Sequence, residues 1–158
     1  MDSLCRLSKS AVMVSDFNIL RLAERFRSAI ELTPKSDLPI GFAEFPAGSC
    51  ADASIILGAF LFDRGCGEFE LTRGSRGRMD DDNWGTHGWL TQGELVIDIT
   101  ADQFADIDKA VIVSRDSKWH NQFSIVGTNI AHFNTYDSHT SGSLGDAYRK
   151  VVATLNAT

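Results

Sequence analysis

Cysteine is scarce in this sequence, and its positions exclude two common uses of the residue. Only Cys5, Cys50 and Cys66 are present among 158 residues, so the cysteines form neither an even disulfide framework nor a paired metal-binding motif. Free thiols are typical of a reducing compartment, and we therefore expect a cytoplasmic protein. The N-terminus also lacks a basic segment followed by an apolar stretch, so we expect no signal peptide.

Long apolar runs and an excess of basic charge are also missing. No apolar run reaches the roughly 18 residues that a membrane span needs, so we expect no membrane partner. With 15 basic and 21 acidic residues, the net charge is −6, and this balance argues against a nucleic-acid partner. The composition, 43% hydrophobic and 23% charged, is that of a globular protein. The length fits a single domain over residues 1–158.

The predicted elements run from helices to strands. Residues 15–31 form an amphipathic helix with Ser15 or Asp16 as its cap, and residues 50–63 form a helix that is apolar on nearly all sides and therefore buried. Alternating and β-type runs predict strands at 67–74, 86–91, 94–100, 109–114 and 121–129. Residues 134–145 are loop-like, and a last helix follows to residue 157. This order predicts an α+β domain with helices packed on an antiparallel sheet.

A hairpin of two predicted strands brings a histidine and an acid together. If Gln92 and Gly93 are the two loop residues, His87 lies directly opposite Asp98, and the Cβ atoms of such a pair are about 4.5–5.5 Å apart. A bulged turn with Gly93 in the left-handed conformation is the alternative, and a slip of one residue would place the two side chains on opposite faces. Asp98 also lies in the apolar run LVIDI, where an unpaired acid is costly.

Cys50 stands at the start of the buried helix, directly after Ser49 as its N-cap. The helix dipole stabilises a thiolate there by roughly 0.3–2 kcal/mol, so strong activation also needs a cationic neighbour. An imidazolium at His87, held by Asp98, supplies that cation. We therefore interpret Cys50, His87 and Asp98 as a candidate catalytic triad, in which the backbone N–H of Cys50 also faces a developing oxyanion.

The segments GSCADAS, HGWL and DITADQF resemble the transglutaminase-like branch of the papain-like cysteine enzymes. The likeness covers residues 42–106 and extends to Trp89 and Thr100, whereas Gly88 and Ile99 replace the alanine and proline of that family's pattern. The pattern is also similar to that of bacterial proteins of unknown role. The resemblance implies a papain-like, transglutaminase-like fold with the nucleophile on a buried helix.

What the resemblance implies for function is acyl transfer from an amide. The Cys50 thiolate attacks the carbonyl carbon, His87 protonates the departing nitrogen, and water or an amine resolves the thioester. We expect a thiol-dependent amide hydrolase or acyltransferase, of the peptidase or protein glutamine deamidase type, that acts on a protein or peptide without a cofactor or metal. The oxyanion glutamine of papain corresponds to Glu44, whose carboxylate would oppose an oxyanion, so the second oxyanion donor stays open.

Two other functions stay open beside the enzyme. One is a non-catalytic interaction or immunity-type module on the same fold, since a binding protein can keep a triad by descent. The other is metal binding by Cys50, His87 and Asp98. A metal site within 132–139, which holds two histidines and an acid, is a further and weaker alternative.

Several residues near these motifs have a predicted role of their own. Trp84 and Trp89 flank His87 and are the candidate substrate-binding residues, although core packing explains Trp89 equally well. Asp102 is the rival third member of the triad, and we interpret it instead as the cap of a short turn. Gln103 is expected to bond to the backbone, and a role near the site is the weaker alternative.

The remaining candidates have structural interpretations. His120 is expected at the surface or at an interface. Cys5 and Cys66 are expected to be small buried fillers. The polar segment 74–83 precedes the histidine strand, so it is either an ordinary solvated loop or a mobile rim over the site.

Overall fold

The structure is a computed structural model that describes residues 14–82 and 84–158 of the chain. Within these residues, three α-helices pack on a five-stranded antiparallel sheet, which confirms the predicted α+β class. The helices are α1 (Asp16–Leu32), α2 (Cys50–Asp63) and α3 (Ser138–Ala157). The strands are β1 (Glu70–Arg76), β2 (Gly85–Gln92), β3 (Leu95–Asp98), β4 (Ile112–Ser114) and β5 (Ser124–Ile130).

Helix α1 has the boundaries and the cap that its sequence predicts. The Ser15 side chain accepts a hydrogen bond from the Asn18 backbone N–H at 3.2 Å, which satisfies one of the free donors of the first turn. The helix buries one face: Ile19, Ala23, Phe26, Arg27, Ala29 and Ile30. This single buried face confirms the amphipathic interpretation.

Helix α2 is the predicted buried helix and lies against β1 and β2. Every residue from Ala53 to Leu61 is buried. Ser49 precedes the helix, but its hydroxyl donates to the Pro46 carbonyl at 2.9 Å instead of capping the helix. Gly58 lies so close to the chain after β5 that an added Cβ would stand 2.2 Å from the Ala131 carbonyl oxygen.

The sheet has the order β4-β3-β2-β1-β5. Large side chains on its helix-facing side, among them Leu71, Leu90 and Ile97, complete the core with the three helices. The opposite face carries an open groove whose lining includes Thr72, Trp89, Thr91, Val96, Phe123 and Ile125. Strands β4 and β5 are the two edges, and all residues of β5 are exposed.

The hairpin between β2 and β3 differs in register from the prediction, which was wrong by two residues. Gln92 pairs with Leu95 and Thr91 with Val96, so the loop is Gly93 and Glu94. Gly93 has φ +59°, and a glycine with positive φ at the first loop position is what a type II′ hairpin turn requires. Because the shift is an even number of residues, every side chain of β3 keeps its predicted face.

Helix α3 begins at Ser138, inside the segment that the sequence predicts as a loop. The Asp137 side chain accepts from the Thr140 backbone N–H at 3.0 Å and caps the helix. Gly145 packs so closely on Phe133 that an added Cβ would lie 3.3 Å from its ring. Capping and packing therefore outweigh the low helix propensity of the serines and glycines in this stretch.

Among the described residues, no helix is both long enough and apolar enough to cross a membrane. Cys66 is buried, as expected for a filler, whereas Cys5 lies outside the described residues. The predicted rim segment begins within β1 and continues as an exposed connection to β2, with Asn83 outside the described residues.

Candidate active site

Cys50 is the first residue of α2, and its sulfur lies against β2. Its Sγ accepts hydrogen bonds from the His87 side chain and from the Gly88 backbone N–H. A Cβ added at Gly88 would be 3.9 Å from the Cys50 Sγ, an ordinary contact distance, so the sulfur lies directly against this strand. Cys50 is only half-buried, so the thiol is held by the sheet and is still open to a reagent.

His87, which contacts the Cys50 thiol, also forms a direct hydrogen bond with Asp98. The His87 Nε2 and Asp98 Oδ2 atoms are 2.7 Å apart, and the two residues are 2% and 1% exposed. Continuing the observed register places Asp98 opposite Trp89 rather than opposite His87, so the bond is diagonal across the hairpin. Long side chains bridge such diagonal neighbours on one face. The structure thus brings together the three residues of the predicted triad.

The Asp98 carboxylate accepts hydrogen bonds on both of its oxygens. Oδ2 lies 2.7 Å from His87 Nε2 and 2.6 Å from His120 Nε2, and Oδ1 accepts from the Thr100 backbone N–H at 2.8 Å. Burial raises the pKa of Asp98, but the hydrogen bonds from His120 and His87 hold it well below its usual range. The Asp98 carboxyl group is therefore ionised at neutral pH.

His120 lies at the candidate site, beside Asp98. It was predicted at the surface or at an interface, but it is 3% exposed and lies in a short 3-10 helix, His120–Gln122. Ser117 Oγ is 2.5 Å from His120 Nδ1 and accepts from the His120 backbone N–H at 3.3 Å. On the other side of the ring, Nε2 donates to the Asp98 carboxylate.

The electrostatics of the pair favour a thiolate beside an imidazolium. Burial lowers the pKa of His87, but the hydrogen bonds to Asp98 and Cys50 raise it to about 9. Burial raises the pKa of the Cys50 thiol, but the hydrogen bonds from His87 and from the Gly88 N–H bring it below its ordinary value. The two shifts, one downward and one upward, both favour the ion pair of thiolate and imidazolium over the neutral pair.

Aromatic rings enclose the His87 imidazole. Phe104, Trp119, Trp89 and Phe123 have ring centroids 5.2, 5.7, 5.8 and 6.0 Å from that of His87. The Arg76 guanidinium lies over three of these rings. It is 5.1 Å from the ring centroid of Phe104 and 5.0 Å from those of Trp119 and Phe123. This enclosure keeps water from the His87–Asp98 bond and strengthens it.

The two candidate substrate-binding tryptophans lie in different environments. Trp89 is 2% exposed and packs on His120, with a centroid distance of 4.8 Å. It therefore supports the site from inside the protein. Trp84 is 46% exposed at the entry to β2, and it is not among the rings in contact with His87 in the described part of the chain.

Asp102 and Gln103 make contacts that differ from the favoured predictions. Asp102 was predicted to cap a turn, but Thr100 holds that position, and Asp102 instead binds both terminal nitrogens of Arg27, at 2.7 and 2.9 Å. Gln103 was predicted to bond to the backbone, with a role near the site as the weaker alternative, and its Nε2 lies 3.1 Å from His87 Nδ1. Sequence spacing does not reveal these contacts, because both residues lie in an irregular turn.

Hydrogen bonds within the protein occupy the side chains that could hold a metal ion. The nearest ligand atoms of His87, Asp98 and His120 all lie within 4.8 Å of one another, but direct hydrogen bonds among these side chains account for that closeness. Cys50 is hydrogen-bonded to the same His87 ring. In 132–139, His132 Nδ1 accepts from the Asn134 N–H, and the acid of this segment caps α3.

A thiol, an imidazole and a carboxylate thus occupy one continuous chain of hydrogen bonds. His87 uses Nε2 for Asp98, so Nδ1 is the nitrogen left to face the thiol. Such an arrangement can attack an acyl carbon and then protonate the group that departs. No protein-family model matches the chain, and neither a curated protein nor a solved structure matches it significantly.

Proposed function

We propose that this protein is a thiol-dependent amide hydrolase or acyltransferase that acts through a Cys50-His87-Asp98 triad. One observation carries this proposal. One buried histidine is hydrogen-bonded to a helix-start thiol and, through Nε2, to a buried carboxylate. That division of roles is what a general acid–base catalyst beside a nucleophile requires.

Each step of the reaction has a group in the site to perform it. The Cys50 thiolate adds to the carbonyl carbon of an amide, and the Cys50 backbone N–H, free at the start of α2, donates to the oxyanion. The Nδ1 proton of His87 passes to the departing nitrogen, and the C–N bond breaks. Water then attacks the thioester, gives its proton back to Nδ1, and releases the acid and the thiolate.

A protein or peptide amide is the proposed substrate. Cys50 lies where α2 meets the sheet, half-exposed, and Trp84 presents an exposed ring before the histidine strand. An extended or side-chain amide can reach a thiol in this position without entering a deep cavity.

The transglutaminase-like branch of the papain-like fold is the proposed family. In this chain, as in that branch, a cysteine at the start of a helix packs on antiparallel strands that carry the histidine and the acid.

The test of this function is the reactivity of the thiol. At pH 6 an ordinary thiol, with a pKa of about 8.5, is well under 1% ionised, and a Cys50 thiolate should react with iodoacetamide at least about tenfold faster than Cys66. Burial raises the pKa of Cys66, so it is an internal control. Peptide mapping by mass spectrometry gives both rates.

The Cys50→Ala variant should lose the fast labelling and keep the circular dichroism spectrum of the parent protein. Equal labelling of Cys50, Cys66 and Cys5 at pH 6 would contradict the enzyme and favour the non-catalytic interaction module. Such a module does not need a thiolate.

A further inference from the structure

We infer that Gln103 is a further catalytic residue, whose side-chain amide binds the group that leaves or attacks the acyl carbon on the His87 side of the thiol. This inference rests on the proposed function and deepens it. It assigns a residue to the position where the leaving amine departs and the acceptor, water or amine, arrives.

The position of Gln103 carries this inference. It ends the 3-10 helix Ala101–Gln103 that directly follows the Asp98 strand, and its side chain is half-buried. Gln103 Nε2 lies 3.1 Å from His87 Nδ1, the ring nitrogen that the Asp98 bond leaves for the thiol. The Gln103 amide is therefore at the end of the imidazole where protons are exchanged.

The turn that carries Gln103 is anchored by Arg27 of helix α1. Arg27 binds the neighbouring Asp102 through both terminal nitrogens and also donates to the Ile99 carbonyl at 2.8 Å. A side chain on such an anchored turn loses little conformational freedom when it binds a substrate group. The anchor therefore pre-organises the amide beside His87.

The chemistry at Nδ1 explains why an amide is suited to this place. A leaving amine or an attacking water must come within about 2.6–3.2 Å of Nδ1 to exchange a proton with it. The Gln103 amide already lies within this range, at 3.1 Å from the same nitrogen, so a group that approaches Nδ1 from the side of Gln103 comes within its reach. The amide oxygen of Gln103 can then accept the second N–H or O–H of that group, which orients its lone pair.

The deacylation step depends most on this contact. A water molecule adds to the thioester carbon, one of its protons passes to His87 Nδ1, and the C–S bond breaks to release the carboxylic acid and the Cys50 thiolate. Gln103 accepts a hydrogen bond from the second O–H of the water. Acylation by an activated ester does not need this contact, because a phenolate leaves without a proton.

The probe for this step is p-nitrophenyl acetate. The parent protein should release a burst of about one p-nitrophenolate per site, as Cys50 is acetylated, and then a slower steady state set by hydrolysis of the thioester. For Gln103→Ala the burst rate should stay within about threefold, while the steady-state rate falls at least tenfold. Hydroxylamine, which attacks thioesters without a base, should restore turnover in this variant.

Two further variants make the test sharp. Gln103→Met keeps the length of the side chain and removes its polar atoms, so it should repeat the result if Gln103→Ala fails to fold. Gln122→Ala is the matched control, because Gln122 is an exposed glutamine that ends another 3-10 helix. Both kinetic phases should be unchanged in this control.

Each other outcome has a distinct meaning. A steady-state rate within twofold of the parent in both Gln103 variants overturns the inference and leaves the triad intact. An equal fall of burst and steady state also overturns it, because Gln103 would then act on the Cys50–His87 pair. A parent protein with neither a burst nor fast labelling of Cys50 overturns the proposed function itself.

Discussion

At the residue scale, one carboxylate organises the site. Asp98 Oδ2 accepts from two imidazoles, at 2.7 Å from His87 and 2.6 Å from His120. The first ring is thereby fixed beside Cys50, and the second is held by Ser117 on its far side. The orientation of the His87 ring thus depends on the side chains of Asp98, His120 and Ser117, none of which is among the hydrogen-bond partners of the sulfur.

Replacement of Asp98 by asparagine should release the His87 ring and lower its pKa. The carboxylate is the main group that raises the pKa of His87 to about 9, so in Asp98→Asn it should fall to the ordinary value of about 6.5 or below. Steady-state turnover of p-nitrophenyl acetate should fall at least about 100-fold, because the base loses its preferred tautomer.

Long-range ¹H–¹⁵N NMR of the imidazole checks the His87 pKa directly. Asp108→Asn, which removes an exposed carboxylate, is the control. It should leave both the His87 pKa and the turnover of p-nitrophenyl acetate unchanged. An unshifted His87 pKa in Asp98→Asn would remove Asp98 from the mechanism. The raised pKa of His87 also affects the stability of the parent protein. Because folding raises this pKa, His87 stabilises the folded state below about pH 6.5, and the contribution disappears as the pH rises through about 9.

The site residues on regular elements could be predicted from the sequence, and those on turns could not. Cys50 was placed at the helix start, and His87 and Asp98 on one face of a hairpin, because a shift of two residues preserves the face of a strand. Gln103 and His120 lie in short 3-10 turns. Their side chains point where tertiary contacts place them, and no periodic pattern marks that direction.

At the element scale, two helical glycines show how differently one residue type can be used. In α2, a Cβ on Gly58 would lie 2.2 Å from the Ala131 carbonyl oxygen and 2.7 Å from the Ala131 Cβ. In α3, Gly142 is exposed and has no atom within 4 Å of an added Cβ. The first glycine permits a close approach, and the second only weakens its helix.

Alanine at these two positions should therefore have opposite effects on the free energy of unfolding. Gly58→Ala forces a helix away from backbone atoms and should cost more than about 3 kcal/mol. Gly142→Ala should stabilise the protein by about 0.5–1 kcal/mol, because alanine is the better helix former. Urea denaturation measures both changes. A cost below about 1 kcal/mol for Gly58→Ala would show that α2 is not packed this closely on the chain after β5.

The boundaries of the elements were predicted as well as their local signals allow. Helices α1 and α2 agree with the prediction, because each has a serine before its first turn and a clear apolar pattern. Helix α3 began earlier than predicted, since its first turns contain serine and glycine and depend on the Asp137 cap. Local propensity is a weak guide wherever a cap and tertiary packing decide the outcome.

At the scale of the whole molecule, Arg27 connects α1 to the chain on both sides of the Gln103 turn. Its guanidinium donates to the carbonyls of Ile99 and Ala110, each at 2.8 Å, and to the Asp102 carboxylate at 2.7 Å. Its side chain is 9% exposed. One buried cation thus joins the first helix to the segment between β3 and β4.

Replacement of Arg27 by methionine should lower the free energy of unfolding by about 3–5 kcal/mol. The loss leaves the carboxylate of Asp102 and two carbonyls without their shared donor, and breaking a partly buried ion pair from one side has a cost of this order. Arg25→Met, on the exposed face of the same helix, should change stability by less than about 0.5 kcal/mol. Urea denaturation measures both variants. Equal free energies of unfolding for Arg27→Met and Arg25→Met would show that the Arg27 contacts do not stabilise the fold.

The α+β class follows from the order of helices and strands, but the strand order of the sheet does not. The last strand, β5, pairs with β1 rather than with its neighbour in sequence, β4. That pairing depends on which edge of the sheet can accept the returning chain. A sequence pattern of period two gives the faces of a strand and carries no information about its neighbours.

The sulfur of Cys50 is held by α2 on one side and by the His87 ring and Gly88 amide of β2 on the other. In the proposed enzyme, the nucleophilicity of this thiol is therefore a property of the contact between helix and sheet, and neither element supplies it alone. A small separation of the two would return the proton to sulfur while every helix and strand remained formed. Mild heat or denaturant would then abolish the proposed activity before the fold itself is lost.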